Sequence, residues 1–160
     1  DADDLYGRSK ALGELMNDRD ITLRTSIIGP ELKDNGEGLM HWFITQKTEV
    51  KGFTNAFWSG ITTLELAKVA NALLYNFKPG IYQIAPHEKI SKFDILRLLA
   101  ETFNHQIKIT PFEHKFVDKS LIKTLPAQVI SIPDYRKMIG ELQIFMKSNQ
   151  QTEYAKFQSK

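Results

Sequence analysis

Tyr6 and Lys10 are the two residues whose types and spacing most directly suggest chemistry. The apolar pattern of residues 3–17 predicts a helix, so side chains four positions apart lie on one face, about one turn from each other. An ammonium group near a phenol stabilises the phenolate, which lets a tyrosine act as a general acid or base at neutral pH. The same spacing also occurs where a tyrosine and a lysine only cover a helix surface, so the spacing alone leaves both interpretations open.

The chain that follows this helix predicts a strand and a ligand-binding edge. Residues 21–28 form the predicted strand, and its uncharged, β-branched end suits a strand that is covered on both faces of a parallel sheet. Gly29 and Pro30 stop the strand, and residues 31–38 form a polar loop. Open α/β sheets bind ligands at the carboxyl ends of their strands, which is where this loop lies.

Helical and strand-like apolar patterns alternate along most of the remaining sequence, which predicts an α/β fold. Further helices are predicted at residues 39–46, 62–76, 91–103 and from 133 onward, and further strands at residues 50–53, 80–85 and 107–109. Residues 54–60 are expected to form a loop, and residues 110–132 mostly a loop with a helical turn at 119–124. The last helix has an apolar stripe, which consists of Tyr135, Met138, Ile139, Leu142, Phe145 and Met146.

Composition excludes several classes of protein. The 160 residues carry a net charge of +2 without a basic run, which argues against nucleic acid as a partner. No segment has the roughly 18 to 20 consecutive apolar residues of a membrane span and no signal peptide opens the chain, so a cytoplasmic protein without membrane contact is expected. The absence of cysteine excludes a disulfide scaffold and a cysteine nucleophile. The four histidines lack the spacing of metal ligands, so we expect them at the surface or in loops and expect no metal.

Residues 6–14, with the sequence YGRSKALGE, closely resemble the YGxSKxxGE stretch of extended short-chain dehydrogenases/reductases that act on nucleotide sugars. Residues 23–30, 50–53 and 58–67 are similar to segments that follow in the same order in that family. The resemblance extends from residue 4 to about residue 103 and continues more loosely to the end. Within the family, the sequence is most similar to dTDP-4-dehydrorhamnose reductases and related sugar-nucleotide reductases.

The resemblance implies a fold, which is the C-terminal portion of a Rossmann-like enzyme with its small α/β substrate-binding domain. Residues 1–32 would form the last helix and strand of the Rossmann domain, and residues 33–147 would form mainly the substrate-binding domain. Residues 80–85 would return to the Rossmann sheet, and residues 148–160 would form a polar tail.

The resemblance also implies an activity, the transfer of hydride from NADPH or NADH to a 4-keto nucleotide sugar in the synthesis of cell-surface polysaccharide precursors. Tyr6 would donate the proton to the sugar keto oxygen, and Lys10 would stabilise the phenolate and bind the nicotinamide ribose. Both residues would therefore be catalytic and would contact NADP or NAD. Ile28, Gly29 and Pro30 would line the nicotinamide pocket.

Candidate substrate contacts lie in the polar loop and in residues 54–60. The resemblance implies that Glu31 approaches the sugar. Thr54 and Asn55 either hydrogen-bond the substrate or only form a turn, and Trp58 either stacks on a base or sugar or anchors the core. Many epimerases and dehydratases of the family carry an arginine near the position of Trp58, where it binds the nucleotide diphosphate. The absence of that arginine argues against a close epimerase and favours either the reductase branch or a different way of holding the diphosphate.

The dinucleotide-binding fingerprint is missing from this sequence. Only residues 36–38 have the G-x-G pattern, and they do not continue as G-x-G-x-x-G. Together with Asp1 in place of a starting Met, this predicts a fragment that lacks an upstream nucleotide-binding half and is inactive alone. The strand at residues 21–28 would then present an unpaired apolar edge, which predicts association as a homo-oligomer, a swapped arrangement or poor solubility. Two alternatives stay open: an epimerase or dehydratase in which Tyr6 acts as a base, and a non-catalytic nucleotide-binding regulatory subunit.

Overall fold

The computed structural model describes residues 4–31, 33, 35–75, 78–126 and 128–149 of the chain. Within these residues it contains five helices and nine strands. The helices are α1 (Leu5–Leu12), α2 (Leu39–Thr45), α3 (Thr63–Tyr75), α4 (Lys92–Phe103) and α5 (Tyr135–Ser148). The strands are β1 (Ile21–Arg24), β2 (Ile27–Ile28), β3 (Val50–Phe53), β4 (Ala56–Trp58), β5 (Ile61–Thr62), β6 (Gly80–Gln83), β7 (Ile90–Ser91), β8 (Ile109–Phe112) and β9 (Val117–Asp118).

Most strand pairs are parallel, which confirms the predicted α/β fold class. Strand β1 pairs with β6, β2 with β5 and β3 with β8, each in parallel. In a three-stranded sheet β4 lies in the middle, antiparallel to β7 and parallel to β9. These pairings bring segments that are distant in sequence side by side in the same sheet.

The strand predicted at residues 21–28 consists of two strands that use different partners. The carbonyl of Arg24, the last residue of β1, accepts a hydrogen bond from the Ile84 N–H at 2.8 Å. The Ser26 carbonyl instead accepts the Ile61 N–H at 2.9 Å, which begins the pairing of β2 with β5. Between them, the Thr25 hydroxyl donates to the Ile84 carbonyl at 3.0 Å. The apolar pattern therefore predicts the extended conformation but not the change of partner.

The first helix is shorter than predicted and lies on the surface. The Asp4 carboxylate caps it by accepting the Gly7 N–H at 2.6 Å. The helix ends at Leu12 and does not reach residue 17. No residue of α1 is buried, and the side chains of Leu5 and Leu12 are 84% and 88% exposed. The apolar residues of this helix therefore face outward in the described part of the chain.

Two buried clusters hold the other helices against the strands. The first joins α2, α4 and α5 and contains Ile28, Met40, Phe43, Val50, Ile95, Leu96, Leu99, Phe103, Ile139, Leu142 and Met146. The second joins α3 to the start of α5 and contains Ile61, Val69, Leu73, Ile84, Leu125, Tyr135 and Met138. The half-buried side chains of Trp58, Ile90 and Leu98 contact both clusters. The stripe predicted for α5 is confirmed except at Phe145, which is 41% exposed.

Two segments predicted as loops contain strands. Strand β4 lies within residues 54–60, and β8 and β9 occupy part of residues 110–132. Residues 119–124 form no helical turn. Strand β8 includes Pro111 and pairs only with β3 in the described part of the chain. Such an edge strand tolerates proline because the missing N–H can lie on the side away from the partner strand. Pairing with distant strands thus prevails over the local turn-forming residues.

Several polar groups are buried that the sequence analysis did not anticipate. His41 was expected at the surface or in a loop, but it lies on α2 and is 8% exposed. Glu65 on α3 is 2% exposed, and its carboxylate accepts a hydrogen bond from Lys68 at 3.1 Å. The Lys68 ammonium also contacts the Glu141 carboxylate, so one cation links α3 to α5.

The described helices include none with the length and apolar character that a membrane span needs. Of the predicted polar tail, Ser148 is the last residue of α5, and residues 150–160 lie outside the described residues.

Candidate functional site

Tyr6 and Lys10 lie on one face of α1. The Lys10 Nζ is 5.4 Å from the centre of the Tyr6 ring, a distance at which an ammonium is attracted to an aromatic face. The backbone around the pair is regular because Asp4 caps the helix start and the Gly13 N–H donates to the Lys10 carbonyl at its end. The Tyr6 side chain is 72% exposed. The two side chains are therefore in contact within α1, and the phenol is open to solvent.

Glu14 and Arg24 attach the segment after α1 to strand β1. The Arg24 Nε donates to one carboxylate oxygen of Glu14 at 2.6 Å, and its Nη2 contacts the other oxygen. This two-point hydrogen bond lowers the pKa of Glu14 and raises the pKa of Arg24. The Thr22 hydroxyl accepts the Leu15 N–H at 3.0 Å beside it. Glu14 ends the YGRSKALGE segment, but no feature of the sequence indicates its ion pair with Arg24.

The end of β2 packs tightly against the start of α3. Ile28 is buried and lies opposite Thr62 in the parallel register. A Cβ at Gly29 would lie 2.8 Å from the Cγ2 and 3.0 Å from the Cβ of Thr63, and closer still to its hydroxyl oxygen. Only glycine fits this approach without displacing Thr63. The half-buried Pro30 follows at the carboxyl end of the strand.

Glu31 holds the loop that follows this strand. Its carboxylate accepts the Glu37 N–H at 3.1 Å and also the N–H of Gly38, the residue that precedes α2. Gly36 lies close to both Glu31 and the buried His41, because a Cβ there would lie 3.0 Å from the Glu31 Cβ and 2.8 Å from the His41 Cγ. The Glu31 carboxylate therefore binds backbone of its own loop.

Thr54 and Asn55 bind the chain around the end of β8. The Thr54 N–H donates to the Phe112 carbonyl at 3.1 Å. The Asn55 side chain accepts the His114 N–H at 3.1 Å and donates to the His114 carbonyl. Both ends of the Asn55 amide are thus used by one backbone segment. This geometry favours the turn-forming interpretation over a substrate contact.

Trp58 lies in β4 and not in a loop. Its ring is 6.0 Å from the ring of Tyr135, and it contacts both buried clusters. Gly60 lies against the Trp58 indole so closely that a Cβ at this position would collide with the ring. The Tyr135 hydroxyl donates to the Glu88 carbonyl at 2.9 Å, and burial raises the pKa of Tyr135. The surroundings of Trp58 favour the core-anchoring interpretation.

The residues that fit a nicotinamide cofactor are those at the exposed start of the chain. The Tyr6 phenol and the Lys10 ammonium are donors of the kind that suits a carbonyl oxygen and ribose hydroxyls. Separately, the close packing of Gly29 against Thr63 leaves no space for a side chain at the end of β2. Among the described residues, no group of three or more His, Asp or Glu side chains is placed to hold a metal ion.

No protein-family model and no curated protein matches the sequence. Solved structures do match. A dTDP-4-dehydrorhamnose reductase from Bacillus anthracis in complex with NADP matches with a TM-score of 0.69 at 14% identity, over 88% of this chain and 52% of that one. A UDP-N-acetylglucosamine 4-epimerase from Methanobrevibacter ruminantium matches with a TM-score of 0.59 at 16% identity, over 91% of this chain and 51% of that one.

A hypothetical dTDP-4-dehydrorhamnose reductase from Sulfolobus tokodaii matches with a TM-score of 0.53 at 26% identity, over 79% of this chain and 53% of that one. The chain thus spans about half the length of the structures it matches. Its parallel strands and five described helices have the mixed α/β fold of these Rossmann-like extended short-chain dehydrogenase/reductase structures, over that half of their length.

Proposed function

We propose that this chain is the C-terminal half of an NAD(P)-dependent reductase that transfers hydride to a 4-keto nucleotide sugar, for the synthesis of cell-surface polysaccharide precursors. The observation that carries this proposal is the Tyr6–Lys10 pair on one exposed face of α1, with Lys10 Nζ 5.4 Å from the phenol ring. The fold shared with a reductase crystallised with NADP supports it.

The proposed chemistry assigns separate tasks to the two side chains. A reduced nicotinamide dinucleotide, NADPH or NADH, supplies the hydride when bound. The Tyr6 hydroxyl donates its proton to the keto oxygen of the sugar, and the Lys10 ammonium stabilises the phenolate that remains. Lys10 also hydrogen-bonds the nicotinamide ribose, while Ile28, Gly29 and Pro30 form the wall beside the ring.

The substrate side of the site is proposed to be built by loops. Glu31 holds the loop between β2 and α2 by binding two backbone N–H groups, so it approaches the sugar as part of a fixed loop. The hydrogen bonds of Asn55 and the packing of Trp58 support structural roles for these two residues.

The pairing of the strands supports the proposed division into domains. The register of β1 with β6, from Ile21 opposite Gly80 to Arg24 opposite Gln83, supports a return of residues 80–85 to the sheet that contains the strand after α1. We therefore assign residues 1–32 and 80–85 to the Rossmann sheet. Residues 33–147 otherwise form mainly the substrate-binding domain.

The apolar surface around α1 supports a partner for this half. Leu5, Leu12 and Met16 are each more than 80% exposed, and Ile27 is 54% exposed. Strand β1 pairs only with β6 among the described residues, so its other edge is open. A dinucleotide-binding half that extends this sheet would cover both features, and without it the chain is expected to be inactive or to associate with other copies.

The test is NADPH and NADH oxidation by the intact protein with a panel of 4-keto-6-deoxy nucleotide sugars. Tyr6→Phe removes the proton donor and is expected to lower the rate about 100-fold or more. Tyr75→Phe is the matched control, because Tyr75 is also exposed but lies at the end of α3. Equal rates for Tyr6→Phe and the wild type would contradict the proposal.

The matched epimerase structure supports a second candidate, in which the same pair serves an epimerase or dehydratase. Tyr6 would then act as a base, and the dinucleotide would be regenerated in each cycle. Product formation without net NAD(P)H oxidation, lost in Tyr6→Phe, would favour this candidate. A regulatory subunit would bind dinucleotide, form no product and keep its effect on a partner in Tyr6→Phe.

A further inference from the structure

Glu65 is a buried acid that the proposed chemistry does not use. Its side chain is 2% exposed and lies in the first turn of α3. Burial of a carboxylate is unfavourable, and a buried ion pair often stabilises a fold no more than well-packed apolar side chains of similar volume do. The charge at this position therefore needs an explanation other than packing.

The backbone at Glu65 belongs to the contact between α3 and β2. The Glu65 N–H donates to the Thr62 hydroxyl at 3.1 Å, and Thr62 lies opposite Ile28 in the β2–β5 pair. Thr63, the first residue of α3, packs against Gly29 so closely that no side chain fits between them. The first turn of α3 thus contacts the end of β2, where the nicotinamide wall is proposed.

The Glu65 carboxylate connects this turn to α5. It accepts a hydrogen bond from Lys68 at 3.1 Å, and the same ammonium contacts the Glu141 carboxylate. Partial burial lowers the pKa of Lys68, but its hydrogen bonds to Glu141 and Glu65 outweigh this effect, so the pKa is raised. Lys68 is therefore a cation at neutral pH, between one carboxylate on α3 and one on α5.

Helix α5 contacts both buried clusters. Met138 belongs to the cluster that contains Ile61 of β5 and Val69 of α3. Ile139 belongs to the cluster that contains Ile28 of β2. A link from α5 to the first turn of α3 therefore joins this turn to a helix that already packs with β2 and β5.

We infer that Glu65 is a positioning residue, which holds the first turn of α3 against the end of β2 and so sets the place of the nicotinamide wall. It acts through Lys68 and Glu141 rather than through contact with a ligand. The inference rests on the proposed function, because that function assigns the end of β2 to the wall. A leucine could occupy much of the space of Glu65, but it would make no directional bond to Lys68.

The first test measures amide hydrogen exchange in the intact protein. The Ile61 N–H donates to the Ser26 carbonyl at 2.9 Å beside β2, and the Ile84 N–H donates to the Arg24 carbonyl at 2.8 Å beside β1. Glu65→Leu should speed exchange at Ile61 about fivefold relative to Ile84, because only the first bond adjoins the start of α3. Unchanged exchange, or equal acceleration at both amides, would overturn the inference.

The second test measures the KM for NADPH with a sugar that the wild type reduces. Glu65→Leu should raise this KM about fivefold with a smaller change in kcat, because the wall moves while the proton donor stays in place. Lys68→Arg keeps a cation between the two carboxylates and should retain the wild-type KM. Glu141→Gln weakens the same link at a side chain that is 33% exposed, so it should raise the KM without a change inside the core.

Glu101→Leu is the matched control for loss of an ion pair on α5. Glu101 pairs with Arg136 and joins α4 to α5 at the surface, away from the contact of α3 with β2. This variant should keep the wild-type KM. A lower Tm in Glu65→Leu with an unchanged KM would show a purely structural ion pair and overturn the inference. A KM that rises equally in Glu65→Leu and Glu101→Leu would do so as well.

The two tests together distinguish failure of this inference from failure of the proposed function. Faster exchange at Ile61 alone, in a protein that oxidises no NAD(P)H with any sugar, would refute the reductase and leave the contact assigned to Glu65. Oxidation that requires Tyr6, with a KM that Glu65→Leu does not change, would refute the inference alone.

Discussion

Gly29→Ala should destabilise the protein because it closes the contact between the end of β2 and the start of α3. The new methyl group would lie 2.8 Å and 3.0 Å from two Thr63 carbons and nearer still to its hydroxyl oxygen. The obstacle is the β-branched side chain of a residue at a helix start, so relief requires movement of the helix or of the strand. Overpacking of this kind costs about 1–3 kcal/mol. For a chain of this size, that is a decrease in Tm of roughly 2–4 °C per kcal/mol.

The assay is urea and thermal unfolding of Gly29→Ala beside a matched glycine substitution. Gly140 lies inside α5, and a Cβ there meets no atom within 4 Å. Gly140→Ala should therefore stabilise the protein by about 0.5–1 kcal/mol through helix propensity. The two substitutions add the same methyl group and have opposite expected signs.

A double variant identifies the cause of the effect. Thr63→Ala removes the two atoms nearest to the added methyl group, so Gly29→Ala should cost less in that background than in the wild type. An unfolding free energy unchanged by Gly29→Ala, while Gly140→Ala stabilises, would refute the close approach of β2 to α3.

Two further substitutions test polar groups elsewhere in the fold. Lys89 and Ser120 lower the pKa of Asp118 to about 2, below its unfolded value, so the stability that Asp118 contributes is present above about pH 4 and lost as the pH falls toward 2. Asp118→Asn should therefore make the free energy of unfolding depend less steeply on pH between about pH 4 and pH 2. An unchanged pH dependence in this variant would contradict the lowered pKa of Asp118. The Ser91 hydroxyl accepts the Asp94 N–H at 3.0 Å as the N-cap of α4. Ser91→Ala should therefore lower the free energy of unfolding, measured in urea, by about 1 kcal/mol. An unchanged midpoint of urea unfolding would show that the cap contributes nothing.

Features that depend on near neighbours in sequence could be predicted. The stripes of α4 and α5 follow from helical spacing, and Ser91 caps α4 as its position suggests. The shared face of Tyr6 and Lys10 follows from a spacing of four residues on a helix. In each case the residues that form the pattern are close to one another in sequence and lie on the same helix.

Features that depend on distant partners could not be predicted in the same way. The division of residues 21–28 into two strands is set by Ile61 and Ile84, which lie far along the chain. The buried His41 lies on α2 close to the backbone of Gly36, a contact that the helical spacing of α2 does not encode. The same holds for a cleft of about 500 Å³ that Ser59, Lys89 and Ser120 help to line, since these residues meet through the pairing of β4, β7 and β9.

The exposure of α1 connects the chemistry of the proposed site with its need for a partner. A Tyr6 side chain that is 72% exposed sits in water, where the interaction between a phenolate and an ammonium is weak because the dielectric constant is high. A domain that covers Leu5 and Leu12 would bury apolar surface, and the same cover would lower the dielectric constant around Tyr6 and Lys10. Association would then strengthen the electrostatic support for proton transfer. If Tyr6 and Lys10 have the proposed roles, the exposed apolar residues would contribute to the mechanism, because the surface that a partner would cover also carries these two side chains.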